Sequence, residues 1–155
     1  MDSRTVIKTS VFSSGKADIF CRLQELKTLQ FIAAPYATFT PAEGAREDMI
    51  WEEGRTFAFK FKLFGVIPLG IHTIKVIRFS EENGIYTHEG NPSVPLWNHR
   101  IILKAITEES TQYTDEVEIN AGWKTDFVYL WAKAFYSHRQ RKWKKLLRYE
   151  GKKKP

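Results

Sequence analysis

The chain is 155 residues long, 43% apolar and 14% aromatic, with a formal net charge of +6 at neutral pH. That length suits one domain with a core of its own, and the apolar content excludes a disordered chain. The longest uncharged apolar stretches fall far short of the roughly 20 residues of a membrane-spanning helix, and no basic-then-apolar leader opens the sequence, so the expectation is a soluble, cytosolic protein without a transmembrane segment.

Arg4 to Phe12 alternates polar and apolar residues and reads as a strand. Ser13-Ser14-Gly15 supplies turn and helix-capping chemistry. From Lys16 to about Ala33, Ile19, Phe20, Leu23, Leu26, Leu29 and Phe31 recur near helical spacing, which predicts one helix or two short ones with a bend before Pro35. The single cysteine, Cys21, has no partner for an internal disulfide and reads as a helix core residue. Tyr36 to Thr40 predicts a short strand and Pro41-Ala42-Glu43-Gly44-Ala45 a loop.

Phe57, Phe59, Phe61 and Leu63 alternate with Thr56, Ala58, Lys60 and Lys62, placing four large apolar side chains on one strand face. Gly65 to Gly70 turns the chain and Ile71 to Phe79 returns. Glu81-Glu82-Asn83-Gly84 suits a hairpin turn before a strand from Ile85 to Glu89. After the Asn91 to Pro95 interruption, Asn98 to Ile106 and Thr111 to Ile119 predict two more strands around Thr107-Glu108-Glu109-Ser110, with neighbours antiparallel. A long helix closes the chain from Trp123 to about Tyr149. Its first half is apolar on more than one face, as in a helix packed between a sheet and something else.

Strand, helices, six strands and one long aromatic helix is an order that resembles the helix-grip fold of the superfamily grouping START domains, polyketide cyclases and dehydrases, and birch-pollen-allergen-like ligand binders (SRPBCC). The segments that carry the resemblance are Ser14-Gly15-Lys16-Ala17-Asp18-Ile19-Phe20, Trp51-Glu52-Glu53-Gly54, Gly65 to Gly70, Trp97-Asn98-His99, Thr114-Asp115-Glu116-Val117 and the final helix with Arg139 and Leu146-Leu147. It covers nearly the whole chain. It implies an α+β fold whose curved antiparallel sheet wraps a long C-terminal helix, as a single domain over residues 1–150 with a basic tail at 151–155. It also implies an elongated cavity between sheet and helix that takes an apolar ligand, with activities ranging from pure binding to cyclase chemistry.

Alternation puts Gln112, Thr114, Glu116 and Glu118 on the outer face of the last strand, so Tyr113, Asp115, Val117 and Ile119 point inward. With Leu103 opposite Asp115, His99 becomes the second inward titratable group, roughly 13 Å from it at the usual rise per residue. Two readings stay open for this pair: each holds a polar part of a ligand, or each is a core group satisfied by the Tyr113 or Tyr86 hydroxyl. His72 would join the cavity if Phe61 faced it, and a one-residue slip would turn it outward.

The leading expectation is binding of a small hydrophobic or aromatic ligand of lipid, polyketide or isoprenoid type. Phe57, Phe59, Phe61, Trp97, Trp131 and Phe135 would form the apolar wall, and His72, Tyr86, His99, Tyr113 and Asp115 the polar positions. The alternative is a cyclase or dehydrase type enzyme using His99 or Asp115 as general acid/base. Nine of the 24 Lys and Arg fall between Arg139 and Lys154, against one of the 18 Asp and Glu. This stretch reads as a solvated helix end, as a binder of nucleic acid or an anionic membrane surface, or as a dimer contact through Tyr136 and Trp143, so monomer and homodimer both stay open. The four histidines lack metal-ligand spacing, and phosphate-loop, dinucleotide and nucleophile-elbow motifs are missing, so neither metal nor cofactor is expected.

Overall fold

The computed structural model describes residues 2–42 and 49–153, with side chains described through Arg148. Residues 43–45 of the expected loop, and the side chains of the Lys152 to Lys154 tail, lie outside the described residues.

Seven strands form one antiparallel sheet in the order β1-β7-β6-β5-β4-β3-β2. They are β1 (Arg4–Phe12), β2 (Ala37–Pro41), β3 (Thr56–Leu63), β4 (Ile67–Ser80), β5 (Gly84–Gly90), β6 (Leu96–Thr107) and β7 (Ser110–Asn120). Two short helices, α1 (Lys16–Leu23) and α2 (Leu26–Ala33), follow β1, and α3 (Thr125–Lys153) closes the chain. This is the α+β helix-grip fold. Sequence neighbours pair throughout, except that β1 crosses to the far edge beside β7. No helix among the described residues is long and apolar enough to cross a membrane.

Period-two alternation decides what the sheet presents to α3. On β6, Trp97, His99, Ile101 and Leu103 are buried, and on β7 so are Thr111, Tyr113, Asp115, Val117 and Ile119. The expected inward facing of Tyr113, Asp115, Val117, Ile119 and His99 therefore holds. The expected register does not. Asp115 pairs with Ile101, and Leu103 with Tyr113, two residues from the expected register, and an irregularity between Ala105 and Thr107 lies near the turn. The two-residue shift preserves the facing and moves His99 onto the diagonal of Asp115, where side chains meet.

The capping expected from Ser13 and Ser14 is not made. Gly15 is the N-cap of α1 and carries no side-chain cap. A Cβ there would stand 2.7 Å from the Glu108 carbonyl oxygen, so glycine permits the β6–β7 turn to close on the helix. Cys21 is exposed, contrary to expectation, because α1 buries Ile19 and Leu23 and turns position 21 away.

A one-turn 3-10 helix, Gly122–Lys124, leads into α3. Thr125 fastens that start: its hydroxyl donates to the Gly122 carbonyl at 2.7 Å and accepts from the Ala121 N–H at 2.9 Å. Along α3, Ala132, Phe135, Tyr136, Arg139, Gln140 and Trp143 recur at helical spacing and are buried. Phe127 and Leu130 lie on the opposite face and are exposed, as is Trp123 in the preceding 3-10 turn, so the first turns pack on one side only. Tyr136 and Trp143, at 1% and 0% exposure, face the interior and not a dimer partner.

Candidate functional site

Beneath the middle turns of α3 the interior is open. The cavity there holds about 820 Å³ of empty space, the solvent at its mouth included. Leu23, Leu29 and Ile32 of the short helices, Phe39, Trp51 and Phe79, and Ile74, Val76, Ile85 and Ile101 of the sheet make most of its apolar wall. Trp97, Trp131 and Phe135 complete it, with the Trp131 and Phe135 rings stacked at 4.7 Å. Thr28, His72, Thr87, Glu89, Asn91, His99, Tyr136 and Arg139 supply the polar lining.

Phe57, Phe59 and Phe61 face inward as expected, but they form packed core beside the cavity and not its lining. Phe39 rests against Phe59 and Phe61 with centroids 6.2 and 5.1 Å apart, and Trp51 against Phe57 at 5.0 Å. Tyr86 is not on the cavity. The facing of β5 is set by Ile85, Thr87 and the Glu89 carboxyl, so Tyr86 turns outward, edge-on to His88 at 5.0 Å and under the Arg100 guanidinium at 4.6 Å. Tyr113 is fully buried against Phe12 and Trp143, beyond the closed end of the cavity.

His72 points inward. It pairs with Phe59 and not Phe61, a shift of two residues that preserves its facing. Its tautomer follows from its neighbours. The Asn91 Oδ1 accepts from the Ser93 and Val94 N–H groups at 3.0 Å each, which turns the Asn91 amide nitrogen toward His72 Nδ1 at 3.0 Å. Nδ1 is therefore an acceptor, and the ring proton sits on Nε2, which donates to Glu89 Oε1 at 2.8 Å. The Thr87 hydroxyl donates to the other Glu89 oxygen. Burial alone would raise the Glu89 pKa, but the hydrogen bond from His72, then the neighbouring His99 ring and the Thr87 hydroxyl, outweigh it and hold the carboxyl below its ordinary value.

His99 and Asp115 do touch, contrary to the separation of roughly 13 Å expected from the other register: Nε2 lies 2.7 Å from Asp115 Oδ1. Gln140 of α3 closes the far side. Its amide nitrogen donates to Asp115 Oδ2 at 3.0 Å and to the Lys8 carbonyl at 2.8 Å, while its oxygen accepts from the Ser10 hydroxyl at 2.6 Å. With both Asp115 oxygens used as acceptors, His99 Nε2 is the donor, and Asp115 sits behind His99 without lining the cavity itself. His99 Nδ1 faces Glu89 Oε2 at 3.8 Å, beyond hydrogen-bond length. The polar groups thus run in one chain across five strands and a helix, from Ser10 through Gln140, Asp115, His99 and Glu89 to His72 and Asn91.

On the helix side, Trp97 Nε1 donates to the Tyr136 hydroxyl at 3.0 Å. Burial pushes Tyr136 well above the ordinary phenol value, against the opposing charge of Arg139, so the hydroxyl stays protonated. Arg139, which the sequence places in a basic helix end, is instead buried in the cavity wall at 5% exposure. Trp131 Nε1 is also buried there without an acceptor. Thr28, Thr87, Glu89, Asn91, Tyr136, Arg139 and Gln140 are the polar site residues that sequence reasoning missed. Continuing the inward alternation of β5 from Ile85 finds Thr87 and Glu89, and α3 spacing from Phe135 finds Arg139.

The remaining histidines stand apart from this cluster. His138 bonds the Ala34 carbonyl at 2.6 Å and stacks on Tyr36, and His88 is exposed. Among the described residues no group of three or more His, Cys, Asp or Glu side chains is placed to hold a metal ion.

The fold recurs in solved structures. A START superfamily protein from Mycobacterium smegmatis is 12% identical with a TM-score of 0.69, over 90% of this chain and 94% of that one. Protein CV1439 from Chromobacterium violaceum is 12% identical with a TM-score of 0.70, over 92% and 95%. Ara h 8.0201 is 11% identical with a TM-score of 0.57, over 88% and 95%. At these identities the likeness is one of fold alone, the helix-grip fold. No curated protein sequence matches. A family model described as a domain of unknown function, DUF8410, matches residues 12–147, and the chain belongs to that family.

Proposed function

We propose that this protein binds a small, largely apolar or aromatic molecule in the cavity between the sheet and α3. The observation that carries the reading is an open cavity with a mainly apolar wall and one buried polar side. A folding core gains nothing from leaving such space unfilled, because interiors pack to crystal-like density and voids are destabilising. Trp97, Trp131 and Phe135 hold the body of the ligand, and His99 Nδ1 and Arg139 are the polar groups left for its functional groups.

The test is native mass spectrometry of the purified protein with a thermal-shift screen of fatty acids, polyketide-like aromatics and isoprenoids. A co-purifying small molecule, or a compound that raises the melting temperature in proportion to its concentration, is the expected result. Neither being found would count against the reading.

One observation favours a second reading, a cyclase or dehydrase type enzyme with His99 as general acid/base. Asp115 fixes one ring nitrogen of His99 and leaves the other without a hydrogen bond at the cavity. His72 is a poorer candidate, since both of its nitrogens are bound to protein. Under this reading His99→Ala abolishes turnover of a ligand found in the screen while preserving its affinity; unchanged turnover removes the idea.

A further inference from the structure

The cavity wall contains one charge that the fold does not pair. Arg139 is 95% buried, and its Nε has no acceptor. No ion pair among the described residues includes it. Its contacts are aromatic faces, with the guanidinium carbon 5.0 Å from the Tyr136 centroid and 5.5 Å from that of Phe135. The neighbouring carboxylates are committed elsewhere: Glu89 to His72 and Thr87, Asp115 to His99 and Gln140. Burial would lower the Arg139 pKa, but the acidic groups around it more than offset this, so the side chain remains a cation.

A guanidinium withdrawn from water without an anion is costly, and the cost is recovered when an anion of matching shape arrives. Arg presents a planar fork suited to two oxygens. The cavity lining holds no lysine and no other arginine among the described residues, so the site matches one negative charge and not a phosphate dianion.

We propose that the ligand is an organic acid, whose aliphatic or aromatic body lies on the apolar wall and whose carboxylate binds Arg139. This rests on the ligand-binding reading above and narrows its chemistry. Glu89 and Asp115 do not compete for the guanidinium, because their oxygens are turned to other donors. They do restrict the acid to the Arg139 side of the polar wall.

The test compares matched acids and alcohols on the full-length protein at neutral pH by isothermal titration calorimetry: decanoic acid against decanol, and naphthylacetic acid against naphthylethanol. The expected result is a preference for the acid of roughly ten- to hundredfold in at least one pair. Arg139→Met should bring that ratio close to one, and Arg139→Lys should retain part of it. Equal affinities in both wild-type pairs, or a preference that survives Arg139→Met, overturn the proposal while the cavity remains a ligand site. No binding of any probe also overturns it, and the wider screen then decides on ligand binding as such. Should Arg139→Met fail to fold, the wild-type ratio and Arg139→Lys decide.

Discussion

Under the later turns of α3, Phe12, Tyr113 and Trp143 close on one another with centroids 5.0 to 5.9 Å apart, and Ile19 and Leu23 of α1 pack around them. Under its middle turns, Trp131, Phe135 and Arg139 face His72 and His99 across open space. The difference lies mainly in what the strands offer. At the closed end β7 presents Tyr113 and β1 presents Phe12, whereas β4 and β5 present Ile74, Val76 and Thr87 to the cavity. One helix is thus a wedge in one place and a roof in another, and the volume of the opposing side chains decides which.

Substitutions at the two ends should separate them. Trp143→Ala removes a fully buried ring and should cost about 3–5 kcal/mol in urea denaturation. Trp131→Ala should cost less than half of that, because the ring is half-buried and borders space already empty; equal costs would erase the distinction. Enlargement runs the other way. Ile19→Phe should lose about 1–3 kcal/mol by overpacking, while Ile74→Phe should lose under about 1 kcal/mol and occupy the ligand's space. The check is denaturation paired with binding, and retained binding in Ile74→Phe would mean that the ligand sits elsewhere.

The polar chain yields a third prediction. Asp115→Asn leaves either His99 Nε2–H or Gln140 Nε2–H facing an amide donor, at a cost of about 1–3 kcal/mol. Nitrogen NMR of the wild type should show the His99 proton on Nε2, and the variant should disturb that tautomer.

The smallest effect is the pH dependence at Glu89. Its folded pKa lies below the ordinary 4.5, so the folded state binds this proton less readily than the unfolded chain. Its contribution to stability is complete above that ordinary value and is lost as pH falls through the lower folded value. Glu89→Gln should therefore flatten the decline of the urea midpoint below pH 4.5. An unchanged acid slope would show that other carboxyls carry it.

The fold was legible because strand parity and helix spacing are local. Alternation in Phe57 to Leu63 and Gln112 to Ile119, and the aromatic repeat of α3, settle which faces are buried whatever the register. The site was less legible because it depends on register. The β6–β7 register, which no residue type announces, decides that Asp115 meets His99. Arg139 was hidden for another reason: in sequence it opens a run of nine cations, and only the Phe135–Arg139 spacing on α3 sets it apart from its solvated neighbours.

The five tryptophans divide along the same lines and give the molecule its own optical readout. Trp51, Trp97 and Trp131 border the cavity, Trp143 lies in the closed end, and Trp123 stands 83% exposed at the start of α3. Emission from the first group should change when the cavity fills. Trp143 should respond only when the chain unfolds, and Trp123 should remain a red-shifted, readily quenched background. With Trp123→Phe removing that background, intrinsic fluorescence alone would distinguish a filled cavity from an unfolded chain.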